Sequence, residues 1–221
     1  MLAIEYWRQY PTYEELGFNY GIAQSTAHDI VEWVEKVLIK SGKFRLKGKK
    51  SLLEDNGVQA VLVDVMESPI ERPKKKQKKY YSGKKKKHTI KTLIFVDKAT
   101  LEVIAIAHCE GKTHDFKLYK DEFGSAVAEW IKIYADSGFQ GLLDFHKNSE
   151  IPKKNTKNNP LTAEDKANNR RISKERIFIE NVNACIKVFK ILANKYRNRR
   201  KRFGLRMSLI CGIYNFQLAS L

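Results

Sequence analysis

Apolar residues between Thr12 and Ile39 recur at the three-to-four spacing of amphipathic helices, and from Val58 onward the period shortens to that of strands. Thr12 and Glu15 have the spacing of a capping box, in which the hydroxyl accepts an N3 amide and the carboxylate reaches back to the cap amide. The pattern predicts a short helix running to about Tyr20 and stopped at Gly21. A second helix follows from about Gln24 to Ile39, ended by Ser41-Gly42. Ala27, Ile30, Val31, Val34, Val37 and Leu38 share one face of that second helix. Two helices joined by so short a turn have the geometry of a helix-turn-helix, whose second helix meets base edges with its first residues. Gln24, Ser25, Thr26 and His28 are therefore candidate DNA contacts. The plainer alternative is a helical hairpin packed in a small bundle.

Val58 to Val65 is a short, valine-rich run that reads as a buried strand with the carboxylate of Asp64 at its end. Thr89 to Asp97 and Glu102 to Cys109 are strand-like runs joined at Lys98-Ala99-Thr100, the spacing of a hairpin. Between the first strand and that hairpin lies an insert, Arg72 to Lys87, where Pro69, Pro73 and Ser82-Gly83 predict loop or short ribbon. Phe116 to Ile131 has helical character, and Ile131 to Asp136 is a further strand. The polar stretch from Lys147 to Asn169 reads as loop or weak helix. Two helices close the chain, about Lys174 to Tyr196 and Gly204 to Leu218. Strands and helices interleaved in this way predict an α/β protein with a mixed sheet.

Composition narrows the class. Of 221 residues 43% are hydrophobic and 11% aromatic, enough to bury a sizeable core, so a disordered or collagenous chain is excluded. No apolar run approaches the roughly 20 residues of a membrane span, and the first residues lack a signal peptide's charged start and apolar stretch. No membrane partner and a cytoplasmic setting are the expectation. Three widely separated cysteines, with no CxxC pair, give neither a disulfide framework nor a zinc cluster.

The net charge of +17 is concentrated in two blocks. Residues 72–91 hold eleven Lys/Arg and no acid, and residues 153–206 hold seventeen against four acids, so the remainder is net acidic. Basic blocks set against an acidic remainder point to a polyanion, most simply nucleic acid. A solvated surface is the competing explanation.

Three acids stand where propensity does not favour them: Asp64 and Asp136 at the ends of apolar strands, and Glu180 inside a helix among Ile177, Ile179, Val182, Ala184, Ile186 and Val188. Ionising a buried carboxylate without a cation is expensive. A hard divalent ion removes that objection, and structural ion pairs are the alternative.

Several motifs occur in order along the chain. They are Val63-Asp64 with Glu67-Ser68-Pro69-Ile70-Glu71-Arg72-Pro73, Tyr80-Tyr81-Ser82-Gly83 with Lys84 to Lys87 and His88, Lys112-Thr113-His114-Asp115, Ala135-Asp136-Ser137-Gly138-Phe139, and Arg176-x3-Glu180-x6-Lys187. In these the chain resembles the transposases of bacterial insertion sequences that carry an Asp-Asp-Glu triad, specifically the IS-five-like group. The resemblance spans nearly the whole sequence. It implies a ribonuclease-H-like catalytic domain over residues 57–221, with a basic insert at 72–88 and a small N-terminal helical DNA-binding region over 1–42. Relatives carry further helical sequence before the segment matching Tyr6 to Tyr10, so the chain is expected to start inside that region.

Carried over position by position, the resemblance makes Asp64, Asp136 and Glu180 the metal-binding catalytic triad, holding two Mg²⁺ or Mn²⁺ ions. Arg176 and Lys187 fall about 40° and 20° from the face of Glu180 on a helix, where both can approach DNA phosphates. Lys84, Lys85, Lys86, Lys87 and His88 are further candidate DNA contacts, and His88 and His114 candidates for lining the site. The implied activity is metal-dependent hydrolysis at the element ends followed by strand transfer. The partners are terminal inverted repeats and target DNA, bound by a homodimer or larger assembly in the bacterial cytoplasm and associated with the nucleoid. Two alternatives are a nuclease that cuts without strand transfer and an inactive truncated remnant that only binds DNA.

Overall fold

The Glu15 carboxylate accepts the Thr12 N–H at 2.6 Å while the Thr12 hydroxyl accepts the Glu15 N–H at 3.1 Å, and this reciprocal cap starts a helix. In the computed structural model, which describes residues 1–157 and 159–220, that helix is α2 (Tyr13–Tyr20), between α1 (Leu2–Gln9) and α3 (Gln24–Ser41). Gly21 and Gly42 end α2 and α3 in the left-handed region, as the sequence predicts. The turn between them packs closely on Gly17 of α2, where a Cβ would stand 2.7 Å from the Ile22 carbonyl oxygen. Any larger residue there would wedge the two helices apart.

One face of α3 is corrected by the structure. Val37 is exposed, and Glu35 is fully buried instead. Charge compensation explains the exchange: Glu35 pairs with Arg206 at 2.6 Å and Arg202 at 2.8 Å, and the Trp7 indole donates to it at 3.4 Å. The Tyr196 hydroxyl accepts from Arg206 at 3.1 Å, which completes a buried polar cluster.

The sheet is built from β1 (Ala60–Pro69), β2 (Tyr81–Ser82), β3 (Lys87–Asp97), β4 (Val103–Glu110), β5 (Lys132–Tyr134) and β6 (Ser149–Glu150). The first part is antiparallel: β1 runs against β3 from Val61↔Asp97 to Pro69↔Thr89, and β3 against β4. On its other edge β1 pairs parallel with β5, and β5 with β6. Helices α4 (Gln77–Tyr80), α5 (Asp115–Phe123), α6 (Leu142–Phe145), α7 (Ala163–Lys187), α8 (Lys190–Ala193) and α9 (Phe203–Leu218) flank it. This mixed, helix-flanked sheet is a ribonuclease-H-like α/β fold.

Alternation along β1 and β3 divides the core. Leu62, Met66, Ile94 and Val96 pack with α1, α3 and the helices from α7 to α9, while Val61, Val63, Leu93 and Phe95 pack with α5 and the segment leading into β5. Both sheet faces are covered, which is why β1 reads as a near-continuous apolar run.

Four boundaries differ from expectation. Asp64 lies in the middle of β1, because β3 continues to pair with the strand as far as Pro69. The helix expected over Phe116 to Ile131 is α5 alone, stopped at Gly124. α7 starts inside the stretch read as loop or weak helix, where Thr162 and Asp165 form a second capping box. It ends at Lys187, and α8 takes up part of the remainder. The insert is mostly loop, with the single turn of α4 and the short ribbon of β2. Among the described residues no helix is long and apolar enough to cross a membrane.

Candidate active site

Asp64 shares its side of β1 with Leu62 and Met66, the side that α7 covers. The Asn183 amide donates to its Oδ2 at 2.8 Å, and an Arg176 guanidinium nitrogen stands 3.7 Å from its Oδ1. Burial pushes the Asp64 carboxyl above its usual range, Arg176 pulls it back, and the charges of Asp136 and Glu180 add to the rise. The charges of Asp136 and Glu180 are thus both felt at Asp64.

Asp136 follows β5 and caps the turn Ser137–Phe139, its Oδ1 accepting the Gly138 N–H at 2.7 Å. A Cβ at Gly138 would stand 2.8 Å from Asp136 Oδ1 and 3.0 Å from Asp115 Oδ2. Two carboxylates thus crowd the same stretch of backbone, and glycine leaves them room. Asp115 is neutralised by Lys91, which is almost wholly buried and donates at 2.7 Å both to Asp115 and to the Thr113 carbonyl.

At about 100° per residue, Arg176, Glu180, Asn183 and Lys187 form one polar stripe along α7. It runs beside the face that buries Ile172, Ile179, Val182 and Ile186. Ile177, Ala184 and Val188 fall on the opposite side and are exposed, which corrects the expectation of an apolar shell around Glu180. The glutamate itself is exposed because α7 packs one face only.

A cavity of about 450 Å³ opens where these elements meet. Asp64, Asp136, Asp115, Arg176, Asn183 and Lys187 line it, with Lys84, Lys85, Lys112 and His114 on its rim. Glu180 is not part of the lining, although its charge reaches Asp64. Lys86, Lys87 and His88 also lie outside it, with the His88 ring edge-on to Tyr81. On α3, Gln24, Ser25 and Thr26 are exposed. His28 is half-buried against Tyr13, with ring nitrogens 3.0 Å from Asp29 and 3.4 Å from Glu32.

The donor set suits a hard cation. Asp64 and Asp136 offer carboxylate oxygens, and the buried Asn183 Oδ1 is an acceptor with no hydrogen-bond partner; the unpartnered Arg176 Nε is a cationic donor and suits a phosphate oxygen instead. Among the described residues no three His, Cys, Asp or Glu side chains are gathered tightly enough to hold an ion as they stand.

The family model described as DDE superfamily endonuclease matches residues 63–215, and that described as helix-turn-helix of DDE superfamily endonuclease matches residues 1–44. The chain belongs to the DDE superfamily endonucleases. The probable transposase for insertion sequence element IS702 from Microchaete diplosiphon is 46% identical over 220 residues, which cover 99% of this chain and 79% of that protein. DDE superfamily endonucleases generally need divalent metal ions, and the helix-turn-helix match over α1 to α3 makes this one a DNA-binding protein.

Sequence reasoning missed Asn183, Lys91 and Asp115. Asn183 lies three residues beyond Glu180, on the stripe already traced through Arg176 and Lys187. Lys91 lies between Ile90 and Thr92, just before the apolar run Leu93 to Val96, and Asp115 ends the Lys112-Thr113-His114-Asp115 motif; only the fold pairs them.

Proposed function

We propose that this DDE superfamily endonuclease is the transposase of an insertion sequence, of the IS-five-like group, that cuts element ends and joins them to target DNA. Residues 1–42 recognise terminal inverted repeats, with Gln24, Ser25 and Thr26 at the base edges. Residues 57–221 carry the chemistry, and the basic insert at 72–88 forms one rim of the site. The observation that carries this reading is the meeting of Asp64 and Asp136 in a single pocket rimmed by lysines and closed by the Arg176 and Lys187 side of α7.

Asp64, Asp136 and Glu180 form the catalytic set and would hold two Mg²⁺ ions, or Mn²⁺ in their place. When bound, divalent ions supply activation of a water or 3′ hydroxyl and stabilisation of the leaving oxygen in an in-line attack on phosphate. The protein positions the reactants. Lys84, Lys85 and Lys187 hold phosphates of the strand being cut, and Arg176 partly neutralises Asp64 until the site is filled. Asn183 fixes the orientation of the Asp64 carboxylate. Both element ends must be held together for joining, so a dimer or larger assembly forms on DNA, in the bacterial cytoplasm at the nucleoid.

The test is incubation with a labelled duplex carrying the element end and a plasmid target, in Mg²⁺ and in Mn²⁺. Nicked and joined products are expected from the wild type and neither from Asp64→Asn. Nicking without joining would make the protein a nuclease, and binding without cleavage in either metal would make it a DNA-binding remnant.

A further inference from the structure

A second cavity, of about 640 Å³, lies apart from the carboxylates. Arg72, Lys74 and Lys75 stand on one wall and Arg197, Arg199 and Lys201 on the other, with Glu71 the acid among the lining residues. Lys74, Lys75, Arg199 and Lys201 are exposed, and none forms a side-chain ion pair among the described residues. So many uncompensated cations repel one another, and the fold holds them together all the same.

Backbone contacts fix the two walls. The Tyr196 N–H donates to the Pro69 carbonyl at 2.8 Å, and Ile70 bridges Tyr196 as a short parallel pair, so the cleft opens at the end of β1. The far wall is fastened to the helical region. Arg197 donates to the carbonyls of Tyr10 and Pro11 at 2.7 and 2.9 Å, and Asn198 donates to the hydroxyls of Tyr6 and Tyr10 at 2.8 and 3.0 Å. These are neutral acceptors, which orient Arg197 and leave its charge in place.

The insert joins this cleft to the active site. The residues that lead from β1 into the insert, Ile70 to Lys75, line the cleft, and Tyr81 to Lys85 line the carboxylate pocket. Between them Arg200 lies over the Tyr80 ring at 4.6 Å, and the Lys112 N–H donates to the Lys79 carbonyl at 3.0 Å. A wall rich in lysine and arginine thus links the helical region to the pocket, with the acids Glu71 and Glu67 also among its lining residues. Asp64 and Ile70 are six residues apart on an extended strand, a separation of about 20 Å at roughly 3.3 Å per residue. That length matches about six base pairs at 3.4 Å each.

We propose that the cleft between Arg72–Lys75 and Arg197–Lys201 is a phosphate clamp for the element-end duplex, gripping it about six base pairs from the bond to be cut, between the segment read by α3 and the active site. The inference rests on the transposase reading above. A duplex that engages both α3 and the carboxylates has to pass this wall, and the wall fixes how far from the recognised sequence the cut falls. The clamp carries no base specificity, because its groups are cations suited to phosphate oxygens.

The test compares wild type with the quadruple variant Lys74→Gln, Lys75→Gln, Arg199→Gln and Lys201→Gln. The readouts are hydroxyl-radical footprinting and salt-dependent binding, on an element-end duplex and on an unrelated target duplex. All four residues are exposed, and a shared unfolding midpoint verifies the fold; the double variant Lys74→Gln/Lys75→Gln gives a smaller perturbation. The clamp predicts loss of protection about six base pairs from the cut, with the α3 protections retained. It also predicts a plot of log K against log salt that is shallower by about 3–4 on the end duplex for four lost phosphate contacts, and by about half that for the double variant. A wild type that cuts the end but shares its footprint and slope with the variant overturns the clamp alone. A slope change confined to the target duplex overturns it in favour of target capture. A wild type that does not bind the end duplex at all overturns the clamp together with the reading beneath it.

Discussion

Asn183 on α7 donates to Asp64 on β1 at 2.8 Å, a contact between residues 119 positions apart. It ties the helix carrying Glu180 to the strand carrying the first aspartate, and it fixes which Asp64 oxygen remains for a ligand. Asn183→Leu should keep DNA affinity and lower metal affinity or cleavage by about 10–100-fold, the usual effect of losing a hydrogen bond behind a metal ligand. A metal titration of cleavage, with binding measured in parallel, checks this.

Asp64 is held in place at the expense of the stability of the metal-free fold. Its carboxyl is raised above the ordinary value, so folding disfavours the ionised form. Stability should fall as pH rises from the unfolded value through the folded one, and stay lower beyond it. Asp64→Asn removes that penalty. The variant should melt at a higher temperature than wild type in EDTA near pH 7, and Mn²⁺ should raise the wild-type midpoint without raising that of the variant. A lower midpoint for the variant in EDTA would contradict this account of the site.

Arg206 and Glu35 fasten α3 to α9 inside the core. Arg206→Met alone leaves Glu35 buried with Arg202 as its cationic partner, and should cost about 3–5 kcal/mol, as breakage of a buried pair does. Removing both charges with Glu35→Leu/Arg206→Met should recover most of that loss. Chemical denaturation of the two variants separates these outcomes.

His108 is packed among Thr92, Phe203 and Gly204, and burial depresses its pKa to about 4. The folded protein keeps the ring neutral where the unfolded chain would protonate it. Its contribution to stability is therefore retained above the ordinary value of about 6.5 and lost as pH falls from there toward the folded value. His108→Gln should flatten the dependence of the melting temperature on pH over that window.

Much of this was legible in the sequence because local chemistry set it. Thr12 with Glu15 and the glycines at 21 and 42 bound two helices, and the valine-rich run through Asp64 marked a strand buried on both faces. Long-range compensation was not legible. Glu35 reads as a surface residue until Arg206 arrives from the other end of the chain, and Asp64 sits mid-strand because β3 extends alongside it. Glu180 was placed by its spacing from Arg176 and Lys187, yet its exposure follows from how much of α7 the sheet can cover. The lysines of the insert announced a polyanion, while their division between two cavities depends on the Tyr196–Pro69 contact.

The most direct measurement of the central claim is cleavage of an end-labelled duplex carrying the element end, by wild type and by Asp136→Asn, in Mg²⁺ and in Mn²⁺. The wild type should nick the element boundary, and the variant should leave it uncut at undiminished DNA affinity. Equal cleavage by Asp136→Asn would contradict the claim.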